Sequence, residues 1–312
     1  MPPLRARGGG NAMSVLSLHF AEDMARIEAR LARGADHAEA FAGVDDDLFA
    51  LMCSRDYEGY EAVKAALPEY PPVEYVQDCT GNLTMFEAVR ESVLFWGLVK
   101  DAHRRHGRGP LSKATAVDYG AGWGRITRFC AKDVKTLYAI EPNPDFREIY
   151  ERTRVPGKLL GADFLSADPV PVKAADLLFC FSILTHASEQ LAENIRDRWA
   201  EMMAPGGVVV FTVRPGTYLD ATGGEIDRLS AGERAAARQA YESGRPGYWP
   251  YPPSPDWGIT ITPMAYIQAL FSKHFEVIGP RYFLQNHTQL PIVMVRRQAP
   301  TSFFRRAPRR SA

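Results

Sequence analysis

Apolar residues recur every three or four positions over 14–33 (SVLSLHFAEDMARIEARLAR) and the run closes at Gly34, which predicts an amphipathic helix. A shorter helical stretch at 57–67 stops at Pro68. The segment 68–82 (PEYPPVEYVQDCTGN) carries three prolines and reads as an extended linker. Phe86, Val89, Val93, Trp96 and Val99 then repeat at helical spacing, predicting a helix over 83–105.

From 114 onward the period changes. Short β-branched and aromatic runs occur at 114–119, 136–141, 158–163, 175–182 and 207–213, separated by helix-like stretches at 125–132, 143–152 and 188–203. Two late runs, 274–279 and 291–296, bring the strands to about seven. Nearly continuous apolar strands alternating with helices predict an α/β fold, with a doubly wound, mostly parallel sheet covered on both faces. The stretch 214–258 interrupts the alternation. The chain thus divides into a flexible leader (1–13), a helical N-terminal extension and linker (14–82), a main domain (83–297) with an insertion at 214–258, and a basic tail (298–312).

Charge sharpens the picture. The chain has 37 Lys and Arg against 37 Asp and Glu, but residues 296–312 hold six Arg and no acid. The remainder is net acidic, a poor fit to general nucleic-acid binding, which needs basic surface to displace counterions. The tail itself reads as a solvated, disordered segment. No apolar run reaches the roughly 18 residues of a membrane span. Four cysteines without close pairs or metal-ligand spacing suit a reducing cytoplasm, and no His/Asp/Glu cluster predicts a metal site.

The candidate chemistry sits where open sheets of this kind bind ligands, beyond the carboxyl ends of the strands. The first strand runs into Asp118-Tyr119-Gly120-Ala121-Gly122-Trp123-Gly124-Arg125, a turn in which a ligand can approach the backbone closely. The next strand ends in Glu141, a carboxylate able to accept from both hydroxyls of a ribose. A nicotinamide-dinucleotide fingerprint would want glycine at 125, where arginine stands.

With Asp118 before it and Glu141 after it, this G-x-G-x-G turn resembles the nucleoside-binding loop of class I S-adenosylmethionine-dependent methyltransferases. Gly161-Ala162-Asp163-Phe164 is similar to that family's third motif, and Asp176 to His186 to the fourth, a buried strand whose exit passes Ser182. Ala204-Pro205-Gly206-Gly207 matches the turn into the fifth strand. The resemblance covers about 117–213 and implies S-adenosylmethionine as cofactor. It would be held by Asp118, Gly120, Gly122, Gly124, Glu141, Asp163, Phe164 and Ser182. Trp123 and Arg125 flank the turn, one of them a candidate for the methionine carboxylate; Tyr75 and Gln77 could fold over the donor.

His186 lies just past a strand end in a Thr-His pair and is the candidate general base, with His287 a distant second. The insertion carries Tyr248, Trp249, Tyr251 and Trp257 among prolines and glycines. Such rigid aromatics suit a substrate lid, so Tyr248, Trp249 and Trp257 are expected at the acceptor. The reading that follows is an O-methyltransferase acting on a small-molecule or sugar-type acceptor. A non-catalytic S-adenosylmethionine-binding sensor or scaffold, and less favourably a NAD-dependent oxidoreductase, are the alternatives.

Overall fold

The structure is a computed structural model that describes residues 15–81, 83–164, 169–283, 286 and 288–298. The leader, most of the basic tail and His287 lie outside the described residues.

Nine strands are described: β1 (Thr115–Tyr119), β2 (Thr136–Ile140), β3 (Lys158–Leu160), β4 (Ala175–Cys180), β5 (Met203–Val213), β6 (Gly247–Pro250), β7 (Gly258–Ile261), β8 (Phe275–Pro280) and β9 (Leu290–Arg296). Seven of them form one sheet in the order β3-β2-β1-β4-β5-β9-β8. The first five pair in parallel, and β9 joins β5 and β8 antiparallel. Strand order reverses between β1 and β4, the crevice where sheets of this topology bind ligands.

Both sheet faces are buried, as parallel strands require. Val117, Leu178, Cys180, Val209 and Phe211 pack against the helix Glu189–Met202, around Trp199, and the helix Met264–Phe271. Their neighbours Ala116, Leu177, Phe179, Val208 and Val210 face the helix Met85–His106 and the N-terminal helices. That long helix starts on a capping box, with Thr84 accepting from Glu87 N and Glu87 accepting from Thr84 N.

The extension differs in detail from the expectation. The stretch 14–33 breaks at Phe20 into Val15–His19 and Ala21–Ala32. Helices at His37–Phe41 and Asp46–Ser54, not predicted, start on Asp36 and Asp45, whose carboxylates accept amides of the first turn. The supposed extended linker contains the helix Val73–Thr80: Pro71 and Pro72 precede it, where no amide hydrogen bond is lost, and Gly81 ends it in the left-handed conformation. The extension shares its core with the sheet domain through Phe49 against Phe129, and Lys132 is buried between Asp46 (2.7 Å) and Asp133 (3.0 Å).

The insertion is a small packed unit. Tyr218, Leu219, Ile226, Leu229, Ala237, Ile259 and Ile261 form its own core, backed by Trp249 and Tyr251. Its antiparallel ribbon β6–β7 runs past residue 258 to Ile261, beyond the expected boundary.

Candidate active site

A cleft of about 1000 Å³ opens at the β1/β4 crossover. Its floor is the glycine turn. Gly120 and Ala121 both donate to Ile140 O, at 2.9 and 3.0 Å, which clasps the turn to β2. Gly120, Gly122 and Gly124 all have positive φ (+84°, +54° and +78°), but they do different work. A Cβ on Gly122 would meet nothing within 4 Å, because that side is open cleft. A Cβ on Gly124 would lie within 2.9 Å of Tyr150 and Val155, so this glycine faces protein and does not line the cleft. Gly120 faces Ile183.

The two acids around the turn also divide. Asp118 is buried behind it and accepts from Thr127 Oγ1 at 2.5 Å; desolvation pushes its carboxyl up to about 7. Its place is therefore support for the loop as well as cleft wall. Glu141, at the end of β2, accepts from Gly122 N through Oε2 (2.8 Å) and from Asn143 N through Oε1 (2.9 Å). Burial raises its pKa, opposed by those two amides. Each oxygen keeps a second lone pair for a hydroxyl from the cleft. Asp163 and Phe164 line the same end, in the loop after β3, which is shorter than the run 158–163 suggested. Phe164 stacks on Tyr119, with centroids 4.6 Å apart.

At the exit of β4, Ser182 adopts φ +62°, costly for a residue with a Cβ. Three bonds hold it there: its amide donates to Thr212 Oγ1 (2.8 Å), Gln289 Nε2 donates to its Oγ (2.8 Å), and Thr185 Oγ1 lies 3.1 Å away. His186 follows. The cap of the next helix is Ser188, whose Oγ accepts from Leu191 N, so His186 is free of that duty. Its Nδ1–H donates to Gly258 O at 2.8 Å, which leaves Nε2 as the acceptor. One face of the ring stacks on Trp257 (5.2 Å, 16°). Burial first, and then the Arg214 guanidinium, push its pKa down to about 4, so the ring is neutral near pH 7.

Arg214 and Glu225 are functional candidates that the sequence pattern did not single out. Arg214 leaves β5, is buried, donates Nη1 to Thr185 O at 2.9 Å and pairs through Nη2 with Glu225 of the insertion. Beyond Arg214, the insertion brings Tyr218, Glu225, Arg228, Tyr251, Asp256 and Trp257 to the cleft, with Gly224 and Ser254 beside them. Tyr248 and Trp249, expected at the acceptor, do not line it. Ribbon alternation turns Trp249 into the insertion's own core and sends the Tyr248 hydroxyl to Pro255 O. Trp257 is in the cleft because β7 zips onto the segment after β4, with Gly258 N donating to His186 O and Thr260 N to Thr185 O.

From the N-terminal side, Asp78, Cys79, Thr80 and Gly81 reach the cleft rim; Tyr75 packs on Phe146, and Gln77 is not among the lining residues. Trp123 is buried against Val76, Ala88 and Ile149. Arg125 turns inward, pairing with the buried Glu91 at 2.7 Å over the Phe181 ring. Among the described residues no group of three or more His, Cys, Asp or Glu is placed to hold a metal, and no helix is long and apolar enough to cross a membrane.

Residues 117–211 match a family described as a methyltransferase domain. An uncharacterized methyltransferase of Anoxybacillus flavithermus is 26% identical over 95 residues, 30% of this chain and 44% of that protein. Another from Oceanobacillus iheyensis is 28% identical over 101 residues, 32% and 46% of the two chains. The chain therefore spans less than half the length of these curated relatives. Among solved structures, an S-adenosylmethionine-dependent methyltransferase from Clostridium acetobutylicum aligns over 72% of this chain and 98% of its own, with TM-score 0.47 and 9% identity. Magnesium protoporphyrin IX methyltransferase from Synechocystis aligns over 82% and 96%, with TM-score 0.46 and 11% identity.

Proposed function

From the premise that residues 117–211 are a methyltransferase domain, we propose that the chain transfers a methyl group from S-adenosylmethionine to an oxygen of a small, hydroxyl-rich acceptor. The observation that carries this is Glu141. Its two oxygens are each pinned by one backbone amide, and it borders the open side of Gly122 where a nucleoside can lie against bare backbone. The fit to the cofactor is good: Glu141 would take the ribose diol, Asp163 and Phe164 the adenine end, and Gly120 to Gly122 the close approach. When bound, S-adenosylmethionine brings a methyl group already activated on a sulfonium. What remains for the protein is to hold the acceptor in line, exclude water and receive a proton.

His186 is suited to the last task. Gly258 O fixes its Nδ1–H tautomer, so the Nε2 lone pair is available at neutral pH. A weakly basic imidazole suffices, because a hydroxyl proton becomes strongly acidic as the oxygen gains its new bond. Trp257, Tyr251, Asp256, Ser254 and Asn286 line the same cleft, aromatic faces among polar groups, a lining suited to a sugar-like ring.

Isothermal titration with S-adenosylmethionine, S-adenosylhomocysteine and NAD in parallel tests the donor site. Binding of the first two, weakened at least tenfold in Glu141→Ala, is expected; NAD in their place would mean an oxidoreductase. Turnover to S-adenosylhomocysteine on a panel of sugars, phenols and amines then separates catalysis from a sensor role. An O-methyl product lost in His186→Ala with donor affinity intact is the expected outcome, and an N-methyl product would overturn the acceptor assignment.

A further inference from the structure

The insertion does more than cover the acceptor. Arg214 Nη2 carries two hydrogens. Its nitrogen lies beside Glu225 and 3.4 Å from His186 Nε2. Nη1 is spent on Thr185 O, and the guanidinium rests on the Tyr218 ring at 4.8 Å, so the cation has little freedom to turn away. A donor facing Nε2 is compatible with an imidazole that has a lone pair there and incompatible with a second ring N–H. The groups facing His186 are thus Arg214 from the end of β5, Glu225 and the Tyr251 ring from the insertion, Gly258 O from β7, and the stacked Trp257. Arg214 stands at the start of the insertion, where the chain leaves β5, and the others come from further along it.

We propose that Arg214 is a positioning residue that holds His186 as the Nδ1–H tautomer with Nε2 unprotonated, and that Glu225 sets how strongly it does so. The inference rests on the reading of His186 as the proton acceptor. Arg214 keeps Nε2 empty until an acceptor hydroxyl displaces the long guanidinium contact. Glu225 neutralises part of the guanidinium charge, so that the ring can still take a proton when one is offered. The two neighbours act in opposite directions. Arg214 lowers the ring's proton affinity and Glu225 raises it.

Nuclear magnetic resonance of the full chain with ¹⁵N- and ¹³C-labelled histidine reads this directly, without an acceptor, with His186→Asn assigning the signal. In the wild type, the ring is expected to show the Nδ1–H tautomer at pH 7 and to protonate near 4, well below an ordinary imidazole. Arg214→Gln should raise the midpoint by about one pH unit or more, a tenfold gain in proton affinity. Arg214→Lys should hold it low, and Glu225→Gln should lower it further. A wild-type Nε2–H tautomer, or a midpoint that Arg214→Gln leaves in place, overturns the proposal. If Arg214→Gln does not fold, the downward shift in Glu225→Gln decides, and its absence is equally fatal. Titration with S-adenosylhomocysteine runs alongside. Lost donor binding with intact opposing shifts would sink the methyltransferase reading and leave this relay standing.

Discussion

One methyl group added at Gly124 and one at Gly122 should have different consequences, although the residues are two positions apart. At Gly124 the new Cβ would meet Val155 at 2.8 Å and Tyr150 at 2.9 Å. Neither neighbour can yield easily: both are buried, and the Tyr150 hydroxyl is tied to Pro156 O at 2.8 Å. Left-handed backbone costs an alanine about 1–2 kcal/mol, and overpacking a buried contact adds about 1–3 kcal/mol. Gly124→Ala should therefore lose about 2–5 kcal/mol of stability while its folded fraction still binds the donor. At Gly122 nothing lies within 4 Å, so only the backbone penalty remains, about 1–2 kcal/mol, but the methyl stands in the cleft. Gly122→Ala should lower the urea midpoint by less than Gly124→Ala does, and bind S-adenosylhomocysteine at least tenfold more weakly by calorimetry. Equal destabilisation of the two variants, or full donor affinity in Gly122→Ala, would refute the division of labour within the turn.

Glu141→Gln keeps the size of the side chain but trades one acceptor oxygen for a donor, so that one of the two amides meets an NH2 and the carboxylate charge is lost. Losing charge-assisted bonds of about 1.5–3 kcal/mol should weaken donor binding ten- to a hundredfold by calorimetry. Asp118 titrates at about 7 when folded, above its unfolded value. The folded state then holds more protons than the unfolded one between about pH 4 and 7, so stability falls as pH rises through that window, by up to ~4 kcal/mol. Asp118→Asn removes that slope, and urea unfolding at pH 5 and 8 should show the variant gaining on the wild type at the higher pH. Arg128 is fully buried, between the rings of Tyr70 and Trp123, and donates to Gly124 O and Glu69 O. Arg128→Ala strands both carbonyls and empties the space, and should cost about 3 kcal/mol or more in the same assay.

The glycine turn and the acid beside it were legible because their signals are local. A β-branched run that ends in alternating glycines, then a second run that ends in Glu141, places that acid beside the turn by chain order alone: parallel neighbours bring successive strand ends to one edge. The swap of Tyr248 and Trp249 for Tyr251 shows where locality ends. In a two-stranded ribbon the side chains alternate, and which face meets the cleft depends on how the ribbon docks, here through Gly258 onto His186 O. The helix Val73–Thr80 was hidden for a related reason, since prolines that break a helix inside also mark its start.

The sequence by itself determined the strand and helix periods, the glycine turn at 120–124, the acid that follows it and the strand exit carrying His186. These depend on backbone sterics and apolar spacing over a few residues. Tertiary structure alone decided which glycine borders the open cleft and which faces Tyr150. It also decided that Asp118 lies behind the turn and that Arg214 and Glu225 meet His186 across 28 and 39 residues of chain. Burial, pairing of charges and the choice of histidine tautomer arise only when distant segments pack, because desolvation and Coulomb terms depend on distance in space and not along the chain.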